Sequence, residues 1–237
     1  MGRNVAIVLA AGRGKRMGSD VAKQYLHIGD KPVLFYALKT FEDSFMDEII
    51  LVTGAGEEEY CRKEIVERYH FNKVKKIVPG GAERYHSVLN GLRAAKECEY
   101  VFIHDGARPF ITEEILLRNL ECVQKYEACV TGMPVKDTIK ISSGDGFVEA
   151  TPERKTLWAV QTPQTFSYKK ILDAYEKFLS GEGSKEGVEV TDDAMVAEIY
   201  GNLPVKLVEG SYENIKITTP GDLVMAEALL EAAFGTL

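Results

Sequence analysis

Cysteine is scarce in this chain. Its 237 residues contain four, Cys61, Cys98, Cys122 and Cys129, and no two of them form a Cys-x-x-Cys pair. That count excludes a dense disulfide scaffold and predicts reduced thiols in a cytoplasmic protein. Long apolar runs are also missing: Val5–Ala11, the stretch near the start, is far too short to span a bilayer and has no signal-peptide cleavage context. Position 6 is Ala, so Met1-Gly2 does not open a myristoylation pattern. Nor is there an excess of positive charge. The 29 basic against 36 acidic residues leave −7, the wrong sign for a nucleic-acid or anionic-membrane binder. Any polyanion must therefore be met by a local basic cluster. Internal repeats and low-complexity tracts are absent, and a composition with 45% apolar residues suits one ordinary core. A core of this size buries roughly three quarters of the unfolded surface. The length predicts a single domain over residues 1–237.

What is present alternates. Short β-rich runs occur at Val5–Leu9, Ile49–Val52, Val74–Val78, Val101–Ile103, Ala128–Met133 and Val205–Val208, most without polar alternation. Strands buried on both faces read this way. Helical spacing lies between them, as in Arg84–Ala95, where Val88, Leu92 and Ala95 share a face. The last helix is the clearest: Thr219 is placed as N-cap, Pro220 at the first helical position, Asp222 near the positive end, and Leu223, Ala226, Leu230 and Ala233 along one face. The expected fold is α/β, an open, doubly wound, mostly parallel sheet. One segment, 136–157, interrupts it. Thr-Ile-Lys-Ile-Ser, the turn Ser143-Gly144-Asp145-Gly146 and then Phe147-Val148-Glu149 spell a hairpin with one apolar face. A lone ribbon needs a cover, either the parent domain or a second copy of the chain. A projecting arm inserted between core elements favours the second copy, hence a homodimer. Ser180–Gly187 is expected as a polar loop between helices.

In open α/β sheets ligands sit beyond the carboxyl ends of the strands. The first such loop runs Ala10-Ala11-Gly12-Arg13-Gly14-Lys15-Arg16-Met17-Gly18, with Lys23 following. Arg13, Lys15, Arg16 and Lys23 against Asp20 concentrate positive charge in an acidic chain. Glycines let backbone N–H groups approach phosphate oxygens, and the cations neutralise a triphosphate. Two commoner phosphate motifs fail. A dinucleotide fingerprint meets Met17 at its third glycine position and Thr53-Gly54 where an acid should end the second strand, and a Walker A loop meets Leu9 and Arg16. The second site is Tyr100–Ile103 running into His104-Asp105-Gly106-Ala107-Arg108-Pro109. Asp105 at a strand end is the candidate Mg²⁺ ligand, since Mg²⁺ takes only one or two protein carboxylates; the alternative is an ordinary Asp-Gly turn. His104 reads as structural, with no second histidine spaced for zinc. A third loop, Pro79–Ser87, opens a helix; its N–H groups and the Ser87 hydroxyl suit a nucleobase edge or ribose, or else only cap the helix. Lys216, expected in a short apolar strand, either snorkels or faces an anion.

Taken together the segments Ala-Ala-Gly-x-Gly-x-Arg-Met, Lys-Gln-Tyr, Gly-Gly…Arg-x-x-Ser-Val, His-Asp-Gly-Ala-Arg-Pro, Pro-Val-x-Asp-Thr, Thr-Pro-Gln, Thr-Asp-Asp and Asn-Ile-Lys-Ile-Thr occur in order from Val5 to the final helix. In this the chain resembles the 2-C-methyl-D-erythritol 4-phosphate cytidylyltransferase family, Rossmann-like nucleotidyltransferases of the A-like type. The resemblance implies joining of CTP to the sugar-alcohol phosphate with release of pyrophosphate, in non-mevalonate isoprenoid biosynthesis. It implies that Ala10, Ala11, Gly12, Gly81 and Ser87 surround the cytidine and that Gly14 belongs to the same CTP loop. Arg16, Lys23 and Lys216 would be catalytic, the first two on the triphosphate and Lys216 on the α-phosphate, with Asp105 beside CTP as the Mg²⁺ ligand. Arg108, Thr138, Arg154 and Thr191 would hold the acceptor, Arg154 and part of the arm coming from the partner of a dimer. Ala22 stands where many members have proline and Ala82 where some have aspartate, which leaves the base contact at 82 open. A phosphate monoester is already an anionic nucleophile, so the absence of a general-base arrangement is expected. Two other functions remain: a ribitol 5-phosphate cytidylyltransferase, and a non-catalytic nucleotide-sensing module.

Overall fold

The computed structural model describes residues 2–12, 21–182 and 189–234. The chain opens with β1 (Asn4–Ala10), a small hairpin β2 (His27–Ile28) and β3 (Lys31–Pro32), α1 (Val33–Asp43) and β4 (Glu48–Thr53). A short α2 (Glu58–Tyr60) continues as a π-helical stretch, Cys61–Glu67, before β5 (Val74–Pro79), α3 (Arg84–Ala94), β6 (Tyr100–Asp105), α4 (Glu113–Tyr126) and β7 (Ala128–Pro134). Then come the arm strands β8 (Ile141–Ser142) and β9 (Val148–Ala150), β10 (Trp158–Ser167), α5 (Tyr168–Ser180), α6 (Asp193–Tyr200), β11 (Lys206–Glu209) and α7 (Pro220–Phe234).

Seven strands form one sheet in the order β11-β7-β10-β6-β1-β4-β5. Every neighbouring pair is parallel except the two made by β10, which runs antiparallel between β6 and β7. The unbroken apolar runs have the cause expected of them. Alternate residues of β1, β4 and β6 face opposite layers: Val5, Ile7, Ile50, Val52, Val101 and Ile103 pack with α3, α5 and α6, while Ala6, Val8, Ile49, Leu51 and Phe102 pack with α1, the π-helical stretch and α4. Both faces are covered, so both must be apolar.

β10 is a correction to the pattern read from sequence, which placed no strand there. Half of its residues are polar, and Pro163 argues against a central strand. The fold accommodates the proline because the β10–β7 register shifts between Val160 and Gln164, taking the intervening residues off the ladder. A second correction concerns Lys216, which lies in a segment outside any strand or helix. The segment's one backbone-to-backbone hydrogen bond to the strand-end loop among the described residues, Ile217 N–H to Ala107 O at 2.8 Å, does not build a ladder.

Helix ends follow their residues. Asp192 caps α6 by accepting from Met195 N–H at 2.9 Å, and Glu83 and His86 form a reciprocal capping box on α3. Asp222 accepts from the backbone N–H groups of Thr218 and Thr219 at 2.8 Å, which secures the start of α7. α7 then lays Ala226 against Ile28, Val33 and Ile217, so the C-terminal helix holds the segment that carries Lys216. α5 ends at Gly181, whose φ of 78° is the left-handed cap that glycine adopts without strain; part of the loop expected at Ser180–Gly187 lies outside the described residues. The hairpin forms at the expected place. Its turn closes through Ser143 N–H to Phe147 O at 2.9 Å, and among the described residues its two strands pair only with each other. Phe147 is 73% and Val148 61% exposed.

Candidate active site

A cavity of 570 Å³ opens at the carboxyl ends of β1 and β6. From β1 and the turn after it come Leu9, Ala11 and Gly12; from the 3₁₀ turn Lys23–Tyr25 come Lys23 and Gln24; from the start of α3 come Gly81, Ala82, Glu83, Arg84 and Ser87; Asp105, Ala107 and Lys216 complete the wall. Among the described residues the walls carry three cations and two carboxylates.

Backbone contacts fix the loops. Gly80 N–H reaches Thr53 O at 2.7 Å and Gly106 N–H reaches Leu9 O at 2.8 Å, tying two cavity loops to neighbouring strand ends. Ser87 Oγ accepts from Gly81 N–H at 3.0 Å and donates to Glu83 O at 3.3 Å, so this hydroxyl shapes the glycine loop as well as lining the cavity. A Cβ at Gly81 would lie 2.3 Å from His86 Cβ, which is why the chain can fold back on α3 only with glycine there. Gln24 Nε2 donates to Ala10 O at 2.5 Å and brings Lys23 beside β1.

Asp105 is the electrostatic centre. Its Oδ2 pairs with Lys216 Nζ at 2.6 Å and its Oδ1 with Arg84 Nε at 3.5 Å. Burial alone would raise this carboxyl, but Arg84 and Lys216 outweigh it and hold it well below the usual carboxylate range. Lys216 thus faces an anion. Arg84 also forms a bidentate pair with Asp193, at 2.7 and 2.8 Å. Asp193 is 0% exposed, and its Oδ1 also accepts from the Tyr175 hydroxyl. Three helices, α3, α5 and α6, meet at this one carboxylate.

Behind Asp105 the fold is held by His104. Thr162 Oγ1 accepts from Asp105 N–H at 3.0 Å and, because the ring hydrogen of neutral His104 sits on Nε2 facing the Arg108 carbonyl, donates its own proton to His104 Nδ1, also at 3.0 Å. His104 Nε2 then carries the hydrogen and donates to Arg108 O at 3.1 Å. Arg108 donates to Asn214 O at 2.7 Å, and Asn214 Nδ2 donates to Thr162 O at 2.9 Å, closing a ring of contacts that anchors the segment before Lys216. Burial pushes His104 down to about 4 from an ordinary 6.5. Because the folded value is depressed, the unfolded chain takes up the proton first as pH falls. Stability held above pH 6.5 is lost progressively down to about 4, by about 3 kcal/mol. His104→Gln should flatten this part of the acid slope; urea midpoints at pH 7 and 4.5 that shift as much as in the unaltered protein would contradict it.

The cavity gathers Ala11, Gly12, Lys23, Gly81, Ser87, Asp105 and Lys216 from the residues picked out in the sequence. Ala10 lies just behind them, its carbonyl taken by Gln24. Arg108 is adjacent rather than lining, and its buried Nε finds no hydrogen-bond partner among the described residues. Thr138 and Arg154 stand exposed at the root of the arm, where Arg154 donates to Lys136 O at 3.0 Å. Thr191 is exposed, with its hydroxyl on Met195 Sδ at 3.1 Å. Gly14 and Arg16 lie outside the described residues. Arg84 and Asp193 are what sequence reasoning missed. Both sit inside motifs it quoted, Arg-x-x-Ser-Val and Thr-Asp-Asp, but they are 109 residues apart and only the fold pairs them.

Among the described residues no three His, Cys, Asp or Glu side chains come together. A cation here would rest on Asp105 and on the oxygens of a bound phosphate, a hard donor set that fits Mg²⁺.

The family model for 2-C-methyl-D-erythritol 4-phosphate cytidylyltransferase matches residues 4–232. A protein of that description from Lachnoclostridium phytofermentans is 48% identical over 230 residues, covering 97% of each chain. One from Clostridium botulinum (strain Langeland) is 50% identical over 233 residues, covering 98% of this chain and 99% of its own. Among solved structures, the 4-diphosphocytidyl-2C-methyl-D-erythritol synthase of Anaerococcus prevotii superposes with a TM-score of 0.83 at 36% identity, covering 97% of this chain and 96% of its own. With the strand-end cavity and this agreement along almost its whole length, the chain belongs to the 2-C-methyl-D-erythritol 4-phosphate cytidylyltransferase family.

Proposed function

We propose that this chain joins CTP to 2-C-methyl-D-erythritol 4-phosphate and releases pyrophosphate. The observation that carries the proposal is Asp105 between Lys216 and Arg84 in a glycine-walled cavity that Lys23 also enters. An oxygen of the acceptor phosphate attacks the α-phosphorus of CTP; the new P–O bond forms as the bond to the β-phosphate bridge breaks, and pyrophosphate leaves with that electron pair. No proton need be removed from the nucleophile. The work left to the protein is to orient two anions that repel each other and to stabilise charge on the transferring and leaving groups.

In this account Ala11, Gly12, Gly81 and Ser87 surround the nucleoside, with Ala10 supporting them and Gly14 in the same loop. Lys23, with Arg16, holds the triphosphate, and Lys216 moves to the α-phosphate. Asp105 would hold Mg²⁺, which when bound offsets charge on the phosphate oxygens. Arg108 takes the acceptor phosphate with the Nε left without a partner among the described residues. Thr191 and, from a second copy, Thr138 and Arg154 complete the acceptor side, which gives a use to an arm whose Phe147 and Val148 are exposed. Purified protein given CTP and Mg²⁺ should release pyrophosphate with 2-C-methyl-D-erythritol 4-phosphate. Release only with ribitol 5-phosphate, or nucleotide binding without turnover on either acceptor, would overturn the proposal in favour of the corresponding rival. The dimer should elute as such on gel filtration at micromolar concentration, and Phe147→Asp should shift it towards monomer; a monomer from the unaltered chain would remove the shared acceptor site.

A further inference from the structure

The two cations paired with Asp105 among the described residues are held very differently. Arg84 commits both terminal nitrogens to Asp193, at 2.7 and 2.8 Å, and reaches Asp105 only through Nε at 3.5 Å. A fork–fork pair with a carboxylate is the strongest arrangement a guanidinium can make. Its anchor does not move easily, since Asp193 is 0% exposed and is held from α5 by the Tyr175 hydroxyl. Lys216 instead makes one contact to Asp105 at 2.6 Å from a side chain that is 37% exposed. Lys216 can therefore leave without stranding a buried charge of its own. Were Arg84 not committed to Asp193, its fork would turn onto Asp105, which is only 11% exposed, and cover both oxygens.

We propose that Asp193 is a positioning residue: by engaging the fork of Arg84 it leaves Lys216 as the exchangeable side chain paired with Asp105 among the described residues, and Lys216 yields Asp105 to a divalent cation when nucleotide phosphate draws the ammonium away. Arg84 is then the cation that stays, and Lys216 is the resident that keeps a bare carboxylate covered in the empty cavity. The proposal rests on the cytidylyl-transfer reading for the identity of the nucleotide, but its central claim concerns the nucleotide-free protein.

The test is Mn²⁺ binding to nucleotide-free protein, followed by the electron paramagnetic resonance signal of free Mn²⁺. Lys216→Met should bind Mn²⁺ at least tenfold more tightly than the unaltered protein, and adding Asp105→Asn should abolish the gain. Adding Asp193→Asn to Lys216→Met should also abolish it, because the released Arg84 closes on Asp105. Tyr175→Phe in the Lys216→Met background should cut the gain at least threefold, and it carries this arm if circular dichroism finds the Asp193 variant unfolded. Lys216→Met with no gain, or a gain unaffected by the change at Asp193 or, where that variant does not fold, at Tyr175, overturns the inference. A purely structural Asp193 would leave the Mn²⁺ affinity of a folded variant unchanged. Turnover of the unaltered protein is scored separately: activity with no Mn²⁺ gain keeps the function and sinks this proposal, whereas a gain without turnover keeps this proposal and sinks the function.

Discussion

Replacing Lys216 or Lys23 by alanine should lower kcat by about 10²–10³ while the protein stays folded. In phosphoryl transfer little covalent chemistry is left to the protein, and rate comes from charge placed where it develops. Lys216 is held for that task from both sides: Asn214 is fixed by Arg108 and Thr162, and Ile217 N–H is bonded to Ala107 O. Its ammonium already lies at the cavity wall against Asp105. Lys23 lines the same cavity, next to Gln24, whose amide donates to Ala10 O at 2.5 Å. Neither side chain is part of either hydrophobic layer of the sheet, so both variants should keep the unaltered far-UV spectrum, while Lys216→Ala, which takes from the buried Asp105 its ammonium at 2.6 Å, should also lower the unfolding midpoint. Steady-state pyrophosphate release and far-UV circular dichroism check both halves. Turnover within a fewfold of normal in either variant would remove that lysine from the chemistry.

Arg84→Ala should destabilise the fold by about 3–5 kcal/mol, the usual loss when one member of a buried ion pair is removed. The reason is the partner left behind. Asp193 is fully buried, and without the guanidinium its charge keeps, among the described residues, the Tyr175 hydroxyl as its side-chain hydrogen-bond donor. The same carboxylate joins α3, α5 and α6, so the loss should reach the whole layer on that side of the sheet. Replacing both partners, as Arg84→Met with Asp193→Leu, should recover much of the stability, since the desolvation problem disappears with the charges. Urea unfolding of the three proteins tests this. A loss below about 1 kcal/mol in Arg84→Ala would mean that the pair is worth no more than a surface salt bridge.

Much of the site could be seen in the sequence because some chemistry is local. Glycine-rich turns after β1 and before α3, and an aspartate leaving β6, sit at strand ends in any parallel sheet, and the strands themselves are continuous apolar runs. Lys216 was suspect for a similar reason, as a charge among apolar neighbours. β10 was not visible. A strand that is half polar and contains Pro163 has no periodic signature, and its place between β6 and β7 involves a register shift that no local pattern encodes. Arg84 and Asp193 look like ordinary charged residues near helix starts until the sheet and its helices bring them together.

The order of apolar runs, turns and helix ends therefore determined, from the sequence alone, an α/β sheet with a phosphate-suited loop and an acidic strand end, because each depends on neighbours a few residues away. Which cation meets which carboxylate was decided only in three dimensions. Asp105 draws Lys216 from the segment held down by α7, and Arg84 is held by a carboxylate buried between α5 and α6. Charge pairing acts through space over a few ångströms, and the low-dielectric interior that makes it strong exists only after the layers have packed.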